Sequence, residues 1–189
     1  MGRRKSYDRD EVLVKAMELF WAKGFEGTHL SELVEVTGVN RFGLYGEFGG
    51  KEGLFQQALD LYLQGTLSAY RETLDAKPHG LGNIQEYFRR LSYGDAYHGC
   101  LMINTLTEQD NVTSDAFSAA REVYCEARNL FLKNLQEAQA AGELAPDRDV
   151  DALANLLSTV DSGLSIHGIV SPSDSEKDAI AAQVLRLLD

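Results

Sequence analysis

The chain has 189 residues, 44% of them hydrophobic, with seventeen glycines and only three prolines. That composition suits one core-forming domain, or a small domain joined to a medium one, and excludes a proline-rich linker or a disordered chain. The formal net charge of −11 argues at first against nucleic acid, yet residues 1–51 hold eight Lys/Arg and eight Asp/Glu while residues 52–189 hold ten and twenty-one. The N-terminal quarter is therefore neutral, with a basic tip at Arg3, Arg4 and Lys5. A small module of this kind can hold phosphate while an acidic body faces away. No apolar run approaches the ~20 residues that cross a bilayer, and no apolar segment of a secretory kind follows the charges of Met1–Asp8. Cys100 and Cys125 make no disulfide framework, so a reducing, cytoplasmic setting with no membrane contact is expected.

Helical periodicity dominates and no stretch alternates at period two, which predicts an all-α protein of about nine helices. The first helix begins near Asp8 or Asp10, buries Val12, Leu13, Ala16, Met17 and Phe20, and stops at Gly24. Thr28 is expected to cap a short second helix that Gly38 ends, and Asn40 to cap a third running to about Phe48. A long helix follows Gly49-Gly50, from Lys51 to about Ala76. Beyond the turn at Pro78-His79-Gly80 come helices near 83–93 and 100–108, then a long one capped by Ser114 and ended by Gly142. Two more are predicted near 149–167 and 174–188.

A longer helix followed by two short ones across a tight glycine turn is the frame of a helix-turn-helix. The residues that fill it are specific: Gly24-Phe25-Glu26-Gly27-Thr28, then Gly38-Val39-Asn40-Arg41-Phe42-Gly43-Leu44-Tyr45-Gly46-Glu47-Phe48, then Lys51-Glu52-Gly53-Leu54-Phe55. These segments, in this order and spacing, resemble the N-terminal signature of the TetR family, over about residues 8–60. The resemblance implies a DNA-binding domain at 1–52, a helical effector-binding and dimerisation domain at 53–189, and a transcriptional regulator, a repressor released by a small-molecule effector. No serine–histidine–aspartate or paired-carboxylate arrangement and no phosphate loop is recognisable, and His98-x-Cys100 is too sparse for a metal site, so no catalysis, no cofactor and no metal is expected.

The resemblance also implies roles for particular residues. Thr28 would give a phosphate its hydroxyl or backbone N–H at a helix start. Tyr45 and Lys51 would hold phosphates, Lys51 beside the N-terminal dipole of the long helix. Arg41 and Asn40 are placed to reach guanine and adenine edges, at ~1–3 kcal/mol of discrimination per good pair, and Phe42 to pack on a thymine methyl. Gly43 and Gly46 stand where the family commonly has DNA-contacting or polar side chains, and each weakens the helix by ~1 kcal/mol relative to alanine. Glu47 would either select cytosine or repel phosphate. These three departures leave one alternative open, a helical ligand-binding or scaffold protein with weakened DNA binding.

In the body, candidate effector-lining residues are Tyr62, Tyr93, Tyr97, Met102, Asn104, Phe117, Tyr124 and His167, each of which equally suits ordinary core. Gly99-Cys100-Leu101-Met102-Ile103-Asn104 resembles a motif recurring in one subgroup of the family. Cys100 there reads either as a small buried apolar residue or as a reactive thiol at a helix start. The last two helices carry wide apolar stripes, Leu153, Leu156, Leu157, Val160 and Leu164, then Ile180, Val184 and Leu187. Paired with their copies they would make a four-helix bundle, a homodimer that reads a palindromic double-stranded operator.

Overall fold

The computed structural model describes residues 7–94 and 97–188, so Arg3, Arg4 and Lys5 of the basic tip lie outside the described residues. Among the described residues all regular structure is helical. The order is α1 (Arg9–Lys23), α2 (Leu30–Thr37), α3 (Arg41–Phe48), α4 (Gly50–Leu74), α5 (Leu81–Arg90), α6 (Leu101–Thr107), α7 (Ser114–Ala140), α8 (Val150–Val170) and α9 (Asp174–Leu185), closed by a 3-10 turn over Arg186–Leu188. Two compact units emerge, one of residues 1–64 with 101–121 and one of 65–100 with 122–189. The division at 52/53 expected from the sequence follows the signature motif; compactness divides the chain at other points.

In the first unit, the caps are those the local chemistry favours. Asp8 accepts from the amide of Asp10 at 2.9 Å and starts α1. Gly24, at φ +73°, ends it, a conformation that costs a residue with a Cβ about 1 kcal/mol or more. The cap of α2 is His29, whose amide bonds the Glu32 carboxylate at 2.9 Å, and Thr28 is one residue outside the helix. Phe20, Phe25 and Phe55 close the core of this unit, with ring centroids 4.8 and 4.9 Å apart for the two pairs that include Phe55. Trp21 packs its indole on Tyr62, 5.8 Å between centroids.

The second unit is built on Tyr70, Leu74, Ile84, Tyr87, Phe88, Phe131 and Leu135, with Leu153, Leu157 and Leu164 closing it from α8. Asn134 is fully buried and ties the turn between α4 and α5 to α7. It donates to the carbonyl of Leu74 at 2.7 Å and accepts from the amide of Gly80 at 3.0 Å, so its polar atoms are satisfied inside the core. Residues 91–93, just after α5, are held to α9: Asp174 accepts from Ser92 Oγ and from the amide of Tyr93, and Lys177, buried, donates to the carbonyl of Leu91.

Helix α7 extends through Ala140, and its first turn is capped by Thr113, whose hydroxyl accepts from the Ala116 amide at 3.2 Å, where the sequence pointed to Ser114. Helix α5 starts two residues before its expected position and ends at Arg90.

The two helix-weakening glycines of α3 are not equivalent. A Cβ on Gly43 would come within 2.8 Å of Val39 Cγ1, whereas one on Gly46 would meet nothing within 4 Å. Gly46→Ala is therefore expected to stabilise the chain by about 1 kcal/mol, the full difference in helix propensity, and a urea melt against the parent measures it.

Candidate nucleic-acid interface

Helix α3 is fixed from inside by Leu44 and Phe48, both buried, and from its start by Asn40, whose carboxamide oxygen accepts from the Gly43 amide at 2.9 Å. Gly38, at φ +70°, makes the turn that brings it round from α2. What α3 leaves outside is unusual for a soluble surface. Phe42 is 90% exposed and Tyr45 52%, flanking an exposed Arg41. The Arg41 guanidinium lies 5.8 Å from the Tyr45 ring centroid, one helical turn apart, so the two present a flat cationic and aromatic pair. The Tyr45 ring also lies against Gly50, whose absent Cβ would stand 2.7 Å from Cε1.

Lys51 sits in the first turn of α4, with its ammonium 4.3 Å from the centroid of Phe25. Helix dipole and ammonium add at that point, which suits an anion. Glu47, which the sequence left as either a base reader or a repulsive charge, turns away from this surface. Its carboxylate, 16% exposed, is 3.6 Å from Arg9 Nε, and the same guanidinium covers the Phe48 ring at 5.4 Å. The acidic residue of α3 is neutralised within the unit.

Three expected contacts take a different form. Thr28 is fully buried, its hydroxyl donates to the Gly24 carbonyl at 2.7 Å, and its amide bonds the Phe25 carbonyl at 3.3 Å. A phosphate could recruit that hydroxyl only by breaking the turn, so Thr28 shapes the α1–α2 turn and is not presented as a clamp. Asn40 is exposed, but its oxygen is the α3 cap, and a bidentate adenine pair would compete with that bond. Gly43 offers only its backbone, half-buried under Val39.

The candidate effector residues divide between the units. Tyr62, Met102, Asn104 and Phe117 fall in the first, where Met102 is buried core and Tyr62 is taken up by Trp21. Tyr93, Tyr97, Tyr124 and His167 fall in the second. Tyr93 and Tyr97 stand ring to ring, 4.9 Å apart, and both crowd the Cα of Gly168, where a Cβ would stand 2.4–2.6 Å from their rings. Burial lifts the Tyr93 phenol to about 12, and its hydroxyl donates to the Leu164 carbonyl at 2.8 Å. His167 Nε2 lies 3.3 Å from Glu176. Cys100 is half-buried and Cys125 exposed.

Sequence reasoning missed the strongest polar feature of this unit. Asp161, buried on α8, accepts from Tyr70 at 2.5 Å and Tyr87 at 2.7 Å, and those two rings stack 5.3 Å apart. Desolvation pushes the carboxyl up, the two phenols oppose it, and the same burial raises both phenols well above the ordinary value. The signal was present: Asp161 stands on the face of α8 that carries Leu157 and Leu164, the one acid in a buried stripe.

The expected dimer stripe also splits. Leu153, Leu157 and Leu164 are buried within the chain's own core and cannot meet a partner, because that face of α8 already packs inward. Leu156 is 37% and Leu187 50% exposed, Val160, Ile180 and Val184 are half-buried, and the outward face of α8 adds Ile166 and Val170. A Cβ at Gly163, on that face, meets nothing within 4 Å.

A capped, aromatic and cationic α3 set over a glycine turn on α2, beside the positive start of α4, defines a helix-turn-helix DNA-binding protein. Comparison with known proteins agrees. The profile of bacterial regulatory proteins of the tetR family matches residues 12–58, and that of the tetracyclin repressor-like C-terminal domain matches residues 82–176. The HTH-type transcriptional repressor ComR of Escherichia coli K12 is 34% identical over 98% of this chain and 91% of its own length. BdcR, another HTH-type transcriptional repressor from that organism, is 27% identical over 87% of this chain and 80% of its own. Among solved structures, a cysteine mutant of the TetR family transcriptional regulator CifR, complexed with 26-bp double-strand operator DNA, superposes with a TM-score of 0.84 at 31% identity, covering 100% of both chains. The chain belongs to the TetR family and is a DNA-binding transcriptional regulator. Among the described residues, no helix is long and apolar enough to cross a membrane.

Proposed function

We propose that this chain is a cytoplasmic repressor that acts as a homodimer on a palindromic operator and is released by a small-molecule effector, by binding and without catalysis. The observation that carries the reading is the outward face of α3, where a 90% exposed phenylalanine stands beside an arginine stacked on a half-exposed tyrosine. An apolar ring held in water has no role in the free chain and a direct one against a thymine methyl. Arg41 reads a guanine edge, Tyr45 and Lys51 hold phosphates, and Asn40 and Gly43 set the helix start and its close approach. Residues 1–52 form the reading module and 53–189 take the effector and the partner subunit.

The partner surface is the outward face of α8 with α9: Leu156, Val160, Ile180, Val184 and Leu187 from the expected stripe, joined by Ile166 and Val170. Open space at Gly163 suits close helix approach across a two-fold axis. Such a dimer sets two recognition helices about one DNA turn, ~34 Å, or more apart. The effector site is best supported at Tyr93 and Tyr97, two candidates that meet beside Gly168.

Selection of bound DNA from genomic fragments tests the whole reading, followed by operator titrations of Arg41→Ala and Tyr45→Ala. A palindromic site is expected. Arg41→Ala should lose about tenfold to a hundredfold in affinity and tolerate substitutions at one base pair, while Tyr45→Ala, which removes no charge, should weaken all sequences alike and leave the salt slope nearly unchanged. Recovery of no palindromic site, or unchanged affinity in both variants, would sink it.

A further inference from the structure

The turn between α1 and α2 is held from several directions. Thr28 bonds back to Gly24, Glu32 of α2 pairs with Lys23 of α1 and accepts the His29 amide, and Phe25 packs under the Lys51 ammonium. One further tie comes from outside the helix-turn-helix. The Glu108 carboxylate, at the end of α6, accepts from the Glu26 amide at 3.1 Å. Its other oxygen lies so close to Gly24 that a Cβ there would stand 2.2 Å away. One carboxylate thus bonds the turn at the Glu26 amide and packs against it at Gly24. Glu108 is itself held, since its amide bonds Asn104 at 3.0 Å and its carbonyl accepts from Asn111 and Val112 at 2.8 and 3.1 Å.

We infer that Glu108 is a positioning residue for operator binding: through Gly24 and Glu26 it sets the turn that places the start of α2 and the Phe25 ring beneath Lys51. It touches no DNA. The turn it holds governs two phosphate-facing elements, the N-terminal dipole of α2 and the Lys51 ammonium. Removing the grip frees the Glu26 amide and lets Phe25 and Lys51 lose register, so operator affinity falls although no DNA-facing side chain has changed. The segment that carries Glu108 begins at Leu101, immediately after Cys100, so residues 101–112 reach the α1–α2 turn through one carboxylate. The inference rests on DNA binding by this family member, and binding of the parent protein to its selected operator is the control that separates the two.

The test compares Glu108→Ala, Glu108→Leu and Glu108→Gln in the full-length protein. Readouts are operator affinity across a salt series, hydrogen exchange at the Glu26 amide, and thermal melting. Alanine and leucine, which lack the acceptor, should each bind the operator about tenfold more weakly, the scale of one lost charge-assisted hydrogen bond. Their salt slope should fall by about one, and the Glu26 amide should exchange at least about tenfold faster. Glutamine keeps an acceptor for that amide and should restore most of the affinity and the protection. Parent-like affinity and exchange in both Glu108→Ala and Glu108→Leu would overturn the inference, as would a glutamine variant as weak as alanine.

Discussion

Gly53→Ala is expected to damage operator binding as much as removal of a base-reading side chain, and to destabilise the chain as well. A Cβ at position 53 would stand 1.8 Å from the carbonyl oxygen of Phe48, the last residue of α3, and 3.0 Å from its carbonyl carbon. The obstacle is backbone, so no rotamer relieves it. Between those residues lie Gly49 and Gly50, at φ +82° and +85°, two successive left-handed residues that fold α3 back onto the start of α4. The joint can accept the methyl only by moving α3 away from α4, which separates Arg41, Phe42 and Tyr45 from Lys51. Overpacking of this kind costs about 1–3 kcal/mol in stability. Misplacing one good base contact costs a similar amount again in binding, roughly tenfold to a hundredfold. Gly46→Ala adds the same methyl in open space on the same helix and should move stability the other way. Fluorescence-anisotropy titration of both variants against the selected operator, with urea melts, separates them. Equal behaviour of the two would refute a steric joint at Gly53.

The contrast between these glycines marks what the sequence could and could not tell. Spacing located the helices, their caps at Asn40 and Gly38, and the signature that identifies the family, because each depends on residues within a turn or two. Orientation depends on partners far along the chain. Glu47 is a surface acid by sequence, but Arg9 at the first residue of α1 draws it off the DNA face. Thr28 has the composition of a cap, but its hydroxyl turns back four residues to Gly24, and His29 takes the cap position. Helix α8 has apolar residues on more than one face, and nothing local says which face the chain itself covers. Leu153, Leu157 and Leu164 went inward with Phe88 and Phe131, leaving Leu156, Ile166 and Val170 outside. Gly53 carries no signal until the path of α3 back onto α4 is known.

Asp161→Ala should cost the second unit about 2–5 kcal/mol, since it leaves two buried phenol hydroxyls, Tyr70 and Tyr87, without an acceptor. Asp161→Asn is the sharper probe, because it keeps one acceptor oxygen while removing the titration. Burial raises the Asp161 carboxyl, against the two phenol hydrogen bonds that lower it. Between its unfolded value near 3.8 and the raised folded value, the native state binds more protons than the unfolded state. Stability from this group is thus fully present below the unfolded value and is lost as pH rises through the folded one. The stability of the parent relative to Asp161→Asn should accordingly grow as pH falls through the raised folded value of Asp161 toward its unfolded value near 3.8. Urea melts of both proteins across that range give the difference directly, and Tyr70 and Tyr87, both held well above the ordinary phenol value, stay protonated throughout. A difference that shrinks on acidification would mean that the phenols outweigh desolvation and hold Asp161 ionised. The same carboxyl lies on α8 three residues before Leu164, whose carbonyl takes the Tyr93 hydroxyl, and seven before Gly168, on which Tyr93 and Tyr97 rest. A change of charge at Asp161 therefore acts on the helix that supports the proposed effector site, and effector affinity should follow the same pH window in the parent and lose that dependence in Asp161→Asn.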